Sequence, residues 1–174
     1  MKKNILKLFI LGFILITITA CGKEPITGAD FEKESKDYGM EITDTVSTSE
    51  GIKDVKYKKA KKAVGKEWTA YFYKLSSEEK AISIMEDLKN EMSDLGKQKK
   101  HYERLYRYEE TDPIITKDGY GKGVDMSTSA KIYKEAIRVE DTIIYIETIP
   151  LTFETEDSIP NQIGGYVSVL GYDN

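Results

Sequence analysis

Few of the 174 residues combine a reactive side chain with a spacing that chemistry needs. Cys21 is the single cysteine and His101 the single histidine. One histidine rules out a His-based metal cluster, and any Ser/His/Asp relay would have to run through it. Its setting, Lys99-Lys100-His101-Tyr102, reads as a solvated helix exit. Ser77-Glu78-Glu79-Lys80 has the Ser-x-x-Lys spacing at which a lysine helps deprotonate a serine nucleophile, but the companion Lys-Thr-Gly and Ser-Asp-Asn motifs are missing. The start of a capped helix explains the same four residues. Asp118-Gly119-Tyr120-Gly121-Lys122-Gly123-Val124-Asp125 has backbone N–H groups to cradle an anion. It lacks the preceding strand and following helix of a phosphate loop, so it reads as a hairpin loop. Asp112, Asp118 and Asp125 offer oxygens to calcium at a spacing that fits no EF-hand. The sequence therefore assigns no catalytic, cofactor-binding or metal-binding residue. The enzymatic alternative left open is a hydrolase of envelope carbohydrate that works with two of the 30 acidic side chains across a cleft.

Cys21 is different because of what precedes it. Lys2, Lys3 and Lys7 form a basic start, Leu8 to Ile18 an apolar run, and Thr19-Ala20 a pair of small residues, the order of an export signal. A membrane-crossing helix needs about 20 apolar residues. This run reaches Cys21 first and turns polar at Gly22-Lys23-Glu24-Pro25. Ile18-Thr19-Ala20-Cys21 resembles the lipobox of bacterial membrane lipoproteins. That resemblance implies cleavage after residue 20, a diacylglyceryl group on the Cys21 thiol and acylation of its amino group. Residues 1–20 are then a lost signal peptide, 21–29 a lipidated tether and 30–174 one domain outside the cytoplasm, attached to the cell membrane through Cys21.

Composition agrees with such a body. The chain carries 26 Lys plus Arg against 30 Asp plus Glu, a net charge of −4, and the loss of three signal lysines deepens the deficit. An acidic domain lacks the positive field that nucleic acid requires. Basic runs at 56–66 and 97–107 interrupt the average and read as solvated faces rather than as docking sites for anionic lipid or wall polymers. With one cysteine there is no internal disulfide, so stability must come from the core.

The elements follow from periodicity and punctuation. A short helix over Asp30–Tyr38, capped by Asp30, ends at Gly39. Met40 to Val46 alternates as a strand before the Ser47–Gly51 turn cluster. Val55–Ala60 and Glu67–Leu75 flank Gly65-Lys66 as a hairpin. Ser76 and Glu79 open a long amphipathic helix through Ala81, Met85, Leu88 and Met92 to Leu95, with Gly96 as its stop and the lysines after it complementing the dipole. His101–Glu109 is a strand, Thr111–Ser129 a loop, and Ala130–Val139 with Thr142–Ile149 a hairpin about Glu140-Asp141. A final helix spans Glu156–Leu170 and stops at Gly171. The expected fold is α+β, an antiparallel sheet of about five or six strands with helices on one face, order roughly αβββαβββα. Gly39 and Gly171 close comparable helices, a weak sign of two-fold internal repetition.

Twelve tyrosines, among them Tyr102, Tyr106 and Tyr108 beside Arg104 and Arg107, would suit a protein or glycan partner if exposed, or the half-buried face of a sheet. Over most of its length the chain is similar to small lipoproteins of Gram-positive bacteria, on Tyr38-Gly39, Tyr71-Phe72-Tyr73 and Leu170-Gly171-Tyr172. The resemblance implies location and no activity. The expectation is a lipid-anchored, non-enzymatic module that binds an envelope protein or glycan.

Overall fold

A computed structural model describes residues 24–91, 96–99, 102–110, 114–115, 127–128, 131–151 and 158–172. The order is α1 (Gly28–Asp37), β1 (Glu41–Thr43), β2 (Lys59–Val64), β3 (Trp68–Lys74), α2 (Glu78–Glu91), β4 (Gly96–Lys99), β5 (Tyr102–Glu110), β6 (Ile114–Ile115), β7 (Ser127–Thr128), β8 (Lys131–Val139), β9 (Thr142–Thr148) and α3 (Ser158–Val169). The class is α+β, as expected. Seven strands form one antiparallel sheet in the order β1-β2-β3-β9-β8-β5-β4, and β6 pairs with β7 separately.

Central strands β3 and β9 are covered on both sides, and this corrects the one-faced arrangement. Trp68, Ala70 and Phe72 of β3 with Ile144 and Ile146 of β9 pack against Phe31 of α1 and Ile159, Ile163, Tyr166 and Val167 of α3. Their alternates Tyr71, Tyr73, Ile143 and Tyr145 pack against Ala81, Met85 and Leu88 of α2 and against Val46, Ile52 and Val55. The sequence already carried the sign. Ile143-Ile144-Tyr145-Ile146 is continuously apolar, and a strand buried on both faces reads that way. Because α2 and α3 lie on opposite faces, the chain lacks the expected internal two-fold.

Helix ends show how the chain enforces these positions. The cap of α1 is Thr27, whose hydroxyl accepts the Asp30 N–H at 3.1 Å, and Asp30 sits in the first turn. At its other end the Gly39 N–H reaches Lys36 O and the Met40 N–H reaches Ser35 O. The same double bond closes α3, from Gly171 N–H to Ser168 O and from Tyr172 N–H to Val167 O. Both glycines adopt φ +83°, the left-handed turn that this closure needs. The two helix stops read from sequence are thus one motif used twice.

Other boundaries shift. β2 begins four residues later than the expected strand, and 55–58 belongs to a loop. β1 is shorter than its apolar pattern. The cap of α2 is Ser77 rather than Ser76, and α2 ends at Glu91, with 92–95 outside the described residues. Gly96 begins β4 instead of stopping a helix, so Lys97 and Lys99 lie on a strand paired with β5, and Lys100 lies outside the described residues. Within the expected 111–129 loop, β6 and β7 pair, and the rest lies outside the described residues.

Two polar clusters, one buried and one at the rim, hold α1 in place. Ser35 donates its one proton to Phe31 O at 2.6 Å, so Tyr166 is the donor in the 2.7 Å contact between the two hydroxyls. Lys61 has its stem covered while its ammonium reaches Glu32 (2.7 Å) and Asp44 at the rim. Hydrogen bonds from Lys36 and then Lys61 hold the Glu32 carboxyl at about 2, against an ordinary 4.5. A lowered folded value means stability that is complete above pH 4.5 and lost as pH falls towards 2. Lys61→Met should therefore flatten the fall in urea-midpoint stability across that window. Tyr166→Phe should cost about 1–2 kcal/mol in denaturant unfolding, and adding Ser35→Ala should cost less than the sum of the two single changes.

Candidate functional site

On the α2 side of the sheet, a groove of about 1120 Å³ runs between α2 and the 49–56 segment. Tyr145, Glu147 and Lys134 form its floor, Ile52, Lys53 and Val55 one wall, and Ser83, Ile84, Asp87 and Leu88 the other. β3 runs down to Lys74 and α2 turns back up from Glu78. Lys56 and Lys80 consequently mark the end of the groove where β2 and α2 begin, and Asp87, Glu91, Glu147 and, opposite Glu147 on β8, Lys134 mark the other end.

The loop wall is built by a chain of bonds. Glu50 accepts the Ser47 N–H at 3.1 Å and pairs with Lys62 at 2.8 Å, and these two contacts hold its carboxyl below the usual range, Lys62 contributing more. Tyr57 donates to Val46 O at 3.1 Å, and the Ile52 N–H reaches the Tyr73 hydroxyl at 3.2 Å. Gly51, at φ +60°, lies against the Tyr73 hydroxyl and the Tyr71 ring. A β-carbon there would stand 2.3 Å from Tyr73 Oη and 3.1 Å from Tyr71 carbons, so no side chain fits.

Beneath the groove Tyr71, Tyr73 and Tyr145 are 3%, 1% and 4% exposed. Burial is the first cause that drives all three hydroxyls well above the usual tyrosine value, so they stay protonated. Tyr71 donates to Glu147 at 2.9 Å and adds to the Glu147 surroundings a donor rather than a nucleophile. A pyranose ring stacks on an open aromatic face, and at these exposures no such face is available.

No family model, curated protein or solved structure matches the chain. The groove itself must then carry the functional reading.

The sequence candidates scatter. Ser77 is the α2 cap: its oxygen takes the Lys80 N–H at 3.4 Å, and its hydrogen bond to Glu79 lowers that carboxyl. Lys80 lines the groove on its own account. Cys21, His101, Asp112, Asp118 and Asp125 lie outside the described residues. Tyr102, Tyr106, Tyr108, Arg104 and Arg107 fall on β5, whose side chains are likewise outside them. The 56–66 run is no single basic face: Lys61 and Lys62 turn to opposite sides, each onto an acid, and Lys66 lies 3.5 Å from Glu67. Glu135, fully buried, receives the Tyr133 hydroxyl at 2.6 Å on the face away from the groove. Among the described residues no group of three or more His, Cys, Asp or Glu is placed to hold a metal.

The 49–56 wall was missed because Val55 reads as strand from sequence. The turn cluster ending in Gly51 was the available signal, since Gly51 is where the backbone must approach a ring. Gly51→Ala should destabilise the domain by about 1–3 kcal/mol through strained φ and steric clash, with Tyr73→Phe milder, both read by chemical denaturation.

Proposed function

We propose that this chain is a lipid-anchored module outside the cytoplasm that holds an extended segment of a partner protein in the groove between α2 and the 49–56 wall, without catalysing a reaction. The carrying observation is the lining. Apolar Ile52, Val55, Ile84 and Leu88 alternate with Lys53, Lys56, Lys80, Asp87 and the hydroxyl and amide groups of Ser83 and Asn90. A peptide offers apolar side chains, both charges and backbone hydrogen-bonding groups to match such a surface. Between the two partner chemistries open from sequence, the covered tyrosine rings favour protein over glycan, because sugar recognition would want those faces exposed. The carboxylate-hydrolase alternative has Glu147 and Asp87 in the same groove as its candidate pair. Tyr71 donating to Glu147 suits an ion-pair acceptor for a partner's lysine or arginine.

Attachment comes from the lipobox reading of Cys21. Among the described residues no helix is long and apolar enough to cross a membrane, so the lipid would supply the hold.

A photo-crosslinking amino acid at Ile84 should give a discrete protein adduct in intact cells, and one at Lys33, on exposed α1 across the sheet, should give none. Adducts of equal yield at both positions, or none at Ile84, would refute the groove as the partner site. Release of sugar from purified envelope polymer by the unmodified domain, abolished in Glu147→Gln, would establish the hydrolase instead. In cells grown with labelled fatty acid, Cys21→Ser should lose the label and leave the membrane fraction.

A further inference from the structure

Resting on the lipidation of Cys21, the fold restricts which end of the domain meets the bilayer. The chain is fastened almost as soon as it leaves that residue. The Ile26 N–H is held by the Tyr172 hydroxyl at 3.1 Å, just beyond the close of α3, and Thr27 caps α1. Five residue steps separate Cys21 from Ile26, a reach of about 18 Å at full extension. Part of that reach is spent inside the headgroup layer, which is roughly 5–8 Å deep per leaflet.

Ile26 sits at the end of the sheet where β2 begins, β3 finishes and β8 turns into β9. A notch of about 480 Å³ there is lined by Glu24, Ile26, Gly28, Lys59, Lys74 and Glu140, with Lys74 paired to Asp141 at 2.6 Å. Lys59 lies across the first turn of α1, with its Nζ 3.4 Å from where a Gly28 β-carbon would stand, so its ammonium is beside the point where the tether leaves. Lys58 precedes it, exposed and bonded through its backbone N–H to Lys74 O at 2.8 Å. The opposite end, at Gly65-Lys66, is one strand length away, about 23 Å for the seven residues of β3. The screening length in physiological salt is about 8 Å, so the near end feels an anionic headgroup layer and the far end does not.

We propose that the end bearing Ile26, Lys58 and Lys59 is the membrane-facing surface, set against anionic phospholipid headgroups. The groove then stands upright on the bilayer, with Lys56 and Lys80 towards the lipid and Asp87, Glu91 and Glu147 directed outward to the partner.

Since the lipid occupies the thiol of the single cysteine, an introduced cysteine is the one free thiol for labelling. The acylated mature chain, from Cys21 onward, reconstituted in vesicles of equal parts phosphatidylglycerol and phosphatidylethanolamine, would carry a fluorophore at Lys59→Cys, Lys58→Cys or Lys66→Cys. A quencher on the lipid headgroups should dim the labels at 58 and 59 several-fold more than the label at 66. Inserting a Gly/Ser linker of about 20 residues after Glu24 should remove the difference. Equal quenching in vesicle-held, acylated protein, or stronger quenching at 66, would overturn the orientation alone. If the chain recovered from cells carries no acyl group on Cys21, the lipidation reading and this inference fall together.

Discussion

Strands β3 and β9 pair along seven residues and are buried on both sides, so every successive residue on each must be matched by a covering layer. α1 and α3 supply one layer; α2 and the 46–58 segment supply the other. The groove follows from this demand. A single helix cannot roof the width of the sheet, the loop fills in beside it, and the seam between loop and helix is left open. Were the sheet covered on one face alone, the second layer and its seam would not exist.

Tyrosine hydroxyls fasten the layers to one another. Tyr73 holds the Ile52 N–H under the groove wall, Tyr172 holds the Ile26 N–H just ahead of α1, Tyr166 of α3 meets Ser35 of α1, and Tyr38 reaches Gln162 O on α3. Each ring supplies apolar area to the core, and each hydroxyl must find a partner once it is there, which turns a packing residue into a positional one. With one cysteine and no disulfide possible within the chain, such polar pins do the fastening that a crosslink performs in many exported domains. The abundance of tyrosine that suggested an exposed binding stripe is, for the described side chains, largely a device of the interior.

Reading by pattern succeeded where a local cause is sufficient. The Gly39 and Gly171 helix stops, the β8–β9 turn at Glu140-Asp141 and the apolar rows of α2 and α3 depend on neighbours three or four residues away. It failed where two segments distant in sequence compete for the same surface. Val55 carries a strand signal, but the place beside β3 is taken by 59–64, whose Ala60 and Ala63 are small enough to lie under Tyr73 and next to Ala70. Asp30 is a good cap by type, yet Thr27 takes the role because Tyr172 pins Ile26 immediately before it. Of the site, Lys80 and Leu88 could be placed on α2 from sequence, and nothing in sequence set them opposite Ile52.

By itself the sequence determined an acidic, disulfide-free α+β chain with an antiparallel sheet, the chemical distinctness of Cys21, and the lack of any sequence-local catalytic motif. These depend on composition and on spacings of a few residues, which survive without knowledge of the fold. Tertiary structure decided that the helices divide between two faces, that Tyr71, Tyr73 and Tyr145 are covered, that Gly51 presses on the Tyr73 hydroxyl, and that a groove opens beside α2. Each of those is a contact across many residues of chain, chosen by which surfaces can be buried together without leaving a polar group unmatched.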